Sequence, residues 1–288
     1  MTYRILLFFV LLPSLVSGQN HTFDSSQPTT ITKEITRETG KVYEVIITLP
    51  PDYQANKEYQ VLYYLDAWWL RDLVQGCYRI KSLSNKSLAN NMEELILVGI
   101  SSVGNEEDWN RQRNMDFTPS KYNGKLVVNF GKIQLHESTT GGADSFLTFL
   151  KDEVFTMVES EYKISKSKRG ILGHSYGGLL GFYAYKTHPE MFSNYILLAP
   201  SIWWNQSKLL INEEFLLKET DAIMFIAIGT NEIRMIREPM AVLVEKLNEK
   251  NSKINFIYKQ YENEDHHSVL PQSIYDGLEN LYTKSNND

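Results

Sequence analysis

One pentapeptide restricts this chain more than any other. Gly173-His174-Ser175-Tyr176-Gly177 stands between a short apolar run, Ile171-Leu172, and a helix-forming stretch over residues 179–185. Gly-x-Ser-x-Gly at a strand-to-helix junction is the pattern of a nucleophile elbow, in which a serine hydroxyl is presented above the edge of a sheet. So sharp a turn crowds its neighbours, and small residues are expected at Gly173 and Gly177. Ser175 then sits at a helix start, where the dipole favours negative charge developing nearby. The plainer reading is a serine in an ordinary glycine-rich turn. The strand and helix on either side argue against it.

The rest of the chain suits a sheet that could carry such a turn. Residues 42–49 are rich in β-branched side chains and end at Pro50-Pro51. Continuous apolar runs follow at 61–65, 95–100, 195–198 and 223–228, as in strands buried on both faces, and 254–258 reads as a last strand. Between them, Phe146, Leu150, Val154, Met157 and Val158 recur at helical spacing within residues 144–162. Pro239 and Pro271 are each expected in the first turn of a further helix. Short strands alternating with helices predict an α/β fold, with a mainly parallel sheet covered on both faces. One domain is expected over residues 39–288, preceded by a polar lead-in at 19–38. Residues 104–142 show weak periodicity and read as an excursion over one end of the sheet.

Composition narrows the partners. The chain has 29 basic and 35 acidic residues and a net charge of −6, which argues against nucleic-acid binding. Its single cysteine, Cys77, can form no internal disulfide and reads as a small buried hydrophobe. The run Ile5-Leu6-Leu7-Phe8-Phe9-Val10-Leu11-Leu12 follows Arg4 and precedes Pro13, Ser14, Ser17 and Gly18, the layout of a secretory signal over residues 1–18. It is shorter than the roughly 20 apolar residues a membrane span needs. An exported chain, periplasmic or secreted, is expected, with no membrane span after cleavage.

A serine hydroxyl needs a base, and there are six histidines. His21 lies in the lead-in, His174 flanks the elbow, His188 follows its helix, and His136, in the excursion, is a candidate for substrate contact or for plain solvation. His266 and His267 fall between the last strand and the last helix, where a Ser…acid…His order puts the base. Adjacent side chains point in different directions, so only one of the two serves. No further His or Cys is spaced to make the pair a zinc site. Glu232, at the end of the 223–228 strand, is the expected acid, with Asp265 and Glu264 as alternatives. The oxyanion donors are expected to be the backbone N–H groups of Tyr176 and Trp68.

Six ordered segments resemble the serine esterase family of the α/β-hydrolase superfamily, which includes enterobactin, salmochelin and bacillibactin esterases and esterase D-like enzymes. They are Tyr63-Tyr64-Leu65-Asp66-Ala67, Arg113-Asn114-Met115-Asp116-Phe117-Thr118-Pro119, Gly141-Gly142-Ala143-Asp144-Ser145-Phe146-Leu147, Gly173-His174-Ser175-Tyr176-Gly177-Gly178, Ala199-Pro200-Ser201-Ile202-Trp203-Trp204 and Asp265-His266-His267-Ser268-Val269-Leu270-Pro271. The resemblance spans roughly residues 40–282. It implies the α/β-hydrolase fold, puts the base on His266, and gives Arg113, Trp203 and Trp204 a place near the substrate. Ala67 departs from the glycine that relatives often carry in the oxyanion turn.

The expected activity is hydrolysis of a carboxylic ester through an acyl-enzyme, with no cofactor. The substrate is expected to be a small molecule of the siderophore trilactone class, or acetyl or feruloyl groups on polysaccharide. Acyl transfer to an alcohol would use the same residues, and a non-catalytic binding protein on the hydrolase fold is the rival from another class.

Overall fold

The apolar runs form the centre of one eight-stranded sheet. The computed structural model describes residues 28–88, 92–122, 135, 137–210, 214–217, 220–249 and 252–283. The expected signal at 1–18, His21 and His136 lie outside the described residues. The strands are β1 (Thr30–Thr36), β2 (Val42–Thr48), β3 (Tyr59–Tyr64), β4 (Leu95–Ser102), β5 (Ile164–His174), β6 (Asn194–Leu198), β7 (Ile223–Gly229) and β8 (Asn255–Tyr261). Their order across the sheet is β1-β2-β4-β3-β5-β6-β7-β8. Strand β2 is antiparallel to both its neighbours, and every pairing from β4 to β8 is parallel.

Period-two alternation divides the core between the two faces. Val61, Tyr63 and Leu65 enter one buried cluster together with Phe146, Leu150, Val154 and Leu179. Leu62 and Tyr64 enter the other, with Leu70, Val74, Ile274 and Leu278. Helices α3 (Ala143–Phe149), α4 (Thr156–Glu161), α5 (Tyr176–Thr187) and α7 (Arg234–Leu247) carry residues of the first cluster. Helices α1 (Ala67–Leu88) and α8 (Leu270–Tyr282) cover the second face. A π-helical turn, Leu150–Phe155, joins α3 to α4, so the predicted 144–162 helix is one continuous rod with a wider middle. The remaining helices among the described residues are α2 (Glu106–Phe117), a short turn, α6 (Trp204–Ser207), whose Asn205 and Gln206 adopt left-handed geometry, and three single 3-10 turns.

Several elements differ from the sequence expectation. The second half of the lead-in forms β1, an edge strand on which Ile31 and Ile35 pack against the core while alternate polar residues face out. Lys33, between the two isoleucines on the same face, interrupts that apolar row, as charges on edge strands commonly do. Pro239 lies inside α7 rather than in its first turn. The helix starts earlier because Ile236, Met240, Leu243 and Leu247 form one buried stripe, and that burial outweighs the hydrogen bond a proline cannot make. The excursion holds α2, whose Asn105 cap accepts from the Glu107 and Asp108 amides.

Candidate active site

Ser175 follows the last residue of β5 with φ 57° and ψ −113°, a conformation side chains rarely adopt. Its N–H donates to the Leu198 carbonyl at 2.9 Å, and its own carbonyl accepts from the Leu179 amide at 2.9 Å. The turn is thereby pinned to β6 on one side and α5 on the other. A Cβ on Gly173 would lie 2.2 Å from the Gly177 carbonyl oxygen, so that glycine is obligatory. The crowding expected at Gly177 falls one residue later. A Cβ at Gly177 would meet Leu65 at an ordinary 3.4 Å, whereas one at Gly178 would press on Pro200 at 2.9 Å.

His266 and Glu232 meet across two loops. Glu232 Oε2 lies 2.5 Å from His266 Nδ1, and its Oε1 accepts from the Ile233 amide at 2.9 Å. A carboxylate only accepts, so Nδ1 carries the proton and Nε2 is left as the basic nitrogen. Glu232 is nearly fully buried, which makes its two hydrogen bonds obligatory for a charged group. The loops themselves are laced together: the Asn231 amide donates to the Glu264 carbonyl at 2.9 Å, and Asn231 Nδ2 donates to the Asn263 carbonyl at 2.9 Å. Gly229 permits this approach, since a Cβ there would lie 2.1 Å from the Glu264 carbonyl oxygen. Of the alternative acids, Asp265 is occupied locally. Its Oδ1 accepts from the His267 and Ser268 amides at 2.9 Å each, which holds the carboxyl below the usual range. His267 stands edge-on to His266, with ring planes at 88°, and makes no bond to Glu232.

Sequence reasoning passed over two neighbours of these groups. The Ser201 hydroxyl lies 3.2 Å from Ser175 Oγ, and the Ser201 amide donates to the Ser175 carbonyl at 3.0 Å. Among the described residues it is the hydrogen-bond partner of the Ser175 hydroxyl. His174, beside the elbow, is buried, and its Nε2 donates to the His266 carbonyl at 2.8 Å. Burial, with His266 adjacent, holds the His174 imidazole well below the ordinary histidine range and so neutral. The Ala-Pro-Ser run held a signal for Ser201, because a loop leaving β6 must pass beside a turn leaving β5.

The remaining predicted residues divide into a brace, a wall and an exposed face. Arg113 Nε lies 2.8 and 3.0 Å from the two carboxylate oxygens of Asp66, and its Nη2 donates to the His174 carbonyl at 3.1 Å. The side chain expected to meet substrate thus links the turn after β3 to the elbow strand. Burial pushes the Asp66 carboxyl up, and the Arg113 guanidinium opposes that push. Trp203 and Trp204, expected near the substrate, lie inside the wall behind the elbow. They are 6% and 2% exposed, their rings pack against Tyr176, and Trp204 Nε1 donates to Ser120 Oγ at 3.1 Å. Burial leaves them little surface for a ligand. Trp68 is 46% exposed and stacks on Trp109 at 5.3 Å. Tyr176 opens α5 and Trp68 lies in the first turn of α1, positions whose N–H groups have no intrahelical acceptor.

This arrangement has counterparts among known proteins. A family model described as "Putative esterase" matches residues 36–271. Ferri-bacillibactin esterase BesA of Bacillus subtilis (strain 168) is 28% identical over 196 residues, 68% of this chain and 64% of that protein. The siderophore enterobactin esterase of Emericella nidulans is 27% identical over 168 residues, covering 55% of its length. The chain thus matches little more than half to just under two thirds of those relatives. The crystal structure of the BES protein from Bacillus cereus superposes with a TM-score of 0.77 at 27% identity, covering 88% of this chain and 96% of that one. With the strand order described above, these matches show that the chain belongs to this esterase family and has the α/β-hydrolase fold.

Proposed function

We propose that this chain is an exported serine esterase that hydrolyses siderophore-type esters through an acyl-enzyme. The observation that carries the reading is the Glu232–His266 contact on the loops after β7 and β8, at the same end of the sheet as a serine held at positive φ after β5. In this reading Ser175 Oγ leaves Ser201, turns toward His266 Nε2 and attacks the ester carbonyl as the imidazole takes its proton. Glu232 holds the tautomer and stabilises the imidazolium. The Tyr176 and Trp68 amides receive the oxyanion. His266 then protonates the departing alkoxide, and water repeats the sequence in reverse to free the acid. The names of the related esterases support the substrate class. The stacked Trp68–Trp109 pair supplies an aromatic surface for such a substrate. Export rests on the pattern of residues 1–18.

The test compares residues 19–288 with the Ser175→Ala variant on p-nitrophenyl butyrate, then on a siderophore trilactone beside feruloyl and acetyl-xylan esters. The expected result is turnover lost on the order of 10⁴-fold or more in the variant, with the trilactone preferred. Equal activity in both proteins would refute Ser175, and inactivity on every trilactone would refute the substrate class.

A further inference from the structure

The residue one peptide bond upstream of Ser175 holds the backbone of the residue that carries the base. We infer that His174 is a positioning residue, whose imidazole clamps the His266 carbonyl and so sets where the base stands relative to Ser175. The catalytic consequence rests on the esterase reading above, while the clamp itself does not.

Three observations support the clamp. The His174 Nε2 to His266 carbonyl bond, at 2.8 Å, joins residues 92 positions apart and ties strand β5 to the loop before α8. The two imidazoles pack at 4.5 Å between centroids with their planes tilted by 48°, so the His174 ring also backs the His266 ring. The His174 Nδ1 is buried without a hydrogen-bond partner. An orphaned buried acceptor is destabilising, and an apolar side chain would fill the space without that penalty. What a histidine offers here that a leucine cannot is the bond to the base loop. His266 is then held at its ring by Glu232 and at its backbone by His174. The His174 carbonyl meanwhile accepts from Arg113, so one residue joins the elbow to the β3 turn and to the base loop. Misplacing a reacting group by about 1 Å is enough to cost roughly 100-fold in rate.

Glutamine can place its amide nitrogen near the position of a histidine Nε2, and leucine cannot donate at all. The full mature chain is compared with His174→Gln and His174→Leu by kcat and KM on p-nitrophenyl butyrate. Hydrogen exchange is followed over residues 262–269. Leucine should lower kcat by about 100-fold with KM nearly unchanged and should speed exchange in that loop. Glutamine should restore most of the rate and the wild-type exchange. A leucine variant with wild-type kcat and exchange, or glutamine and leucine variants equally impaired, would overturn the clamp. If the leucine variant does not fold, His174→Asn, too short to reach, replaces it against glutamine under the same criteria. If the wild type shows no Ser175-dependent turnover, the esterase reading fails, and the exchange comparison still decides the clamp.

Discussion

The two ends of the sheet are built to different rules. At the carboxyl ends, Asp66, Ser175, Ala199 and Asn263, all non-glycine, take φ between 40° and 63° after β3, β5, β6 and β8. Asp66, Ser101, Ser102, His174, Ser201 and Glu232 are all buried there. At the amino ends of β3, β4 and β5, a cavity of ≈ 180 Å³ is lined by Lys57, Glu58, Glu93, Glu94, Ser165 and Lys168. No described non-glycine residue at the amino end of a strand has a positive φ. Left-handed geometry costs on the order of 1–3 kcal/mol per residue, so the carboxyl end carries a load that the apolar sheet between must offset. Strain and buried polar groups collect where the candidate chemistry is, and the opposite end is relaxed and solvated.

The sharpest way to break this contrast is to unpair the buried acid. Glu232→Gln keeps the shape but takes the charge from beside His266 Nδ1. The amide can present its nitrogen and so favour the wrong tautomer, an effect of roughly 10³–10⁴-fold on kcat in triads of this kind. Steady-state kinetics at neutral pH checks it. A loss under tenfold would mean that Ser175 and His266 work as a pair and that Glu232 is structural.

Next in size is the brace. Arg113→Leu leaves Asp66 buried and unpaired, and breaking a buried pair costs about 3–5 kcal/mol. Urea unfolding should show that loss, and Arg113→Leu combined with Asp66→Asn should recover part of it. If the single variant is destabilised by less than about 1 kcal/mol, a value ordinary for exposed pairs, the carboxyl end is not the strained end described above.

What the sequence made legible follows the same division. The elbow, the loop holding Glu232 and the turn holding His266 each stand where a short apolar run stops, and local pattern is enough to find such places. Helix α1 escaped because its buried side includes Cys77 and Lys81 among Leu70, Val74 and Tyr78, which blurs the apolar period. The Lys81 charge is met by Glu279 of α8, a partner nearly two hundred positions away. The roles of His174, Ser201 and Arg113 depend on contacts 92, 26 and 47 positions apart in sequence. No local period encodes contacts of that kind. The resemblance could place Arg113 near the site, but only the paired Asp66 shows that it braces the turn. Glu232 stood ahead of Asp265 on chain order, and the turn in which Asp265 caps its own loop adds the physical reason.

A smaller effect separates the two ends by pH. The unfolded chain protonates His174 near 6.5, whereas the buried native imidazole stays neutral well below that. Below about 6.5 the unfolded state therefore binds the extra proton, and stability falls as pH falls, by up to about 1.4 kcal/mol per pH unit for one group. Urea unfolding between pH 5 and 8 should show this slope in the wild type and a shallower one in His174→Gln. Parallel curves would place the acid sensitivity elsewhere.

The smallest expected effect comes from the amino end and serves as the control for the whole comparison. Lys57 pairs with Glu94 there, and both side chains are well exposed. The Glu94 carboxylate pushes the Lys57 ammonium up, but water screens an exposed pair and holding two long side chains together costs entropy. Lys57→Ala should change stability by less than about 1 kcal/mol and leave kcat untouched, as read by thermal unfolding and ester hydrolysis on one preparation. A rate loss approaching that of Glu232→Gln would mean that the two ends are coupled through β3. The division between a strained carboxyl end and a relaxed amino end would then have to be abandoned.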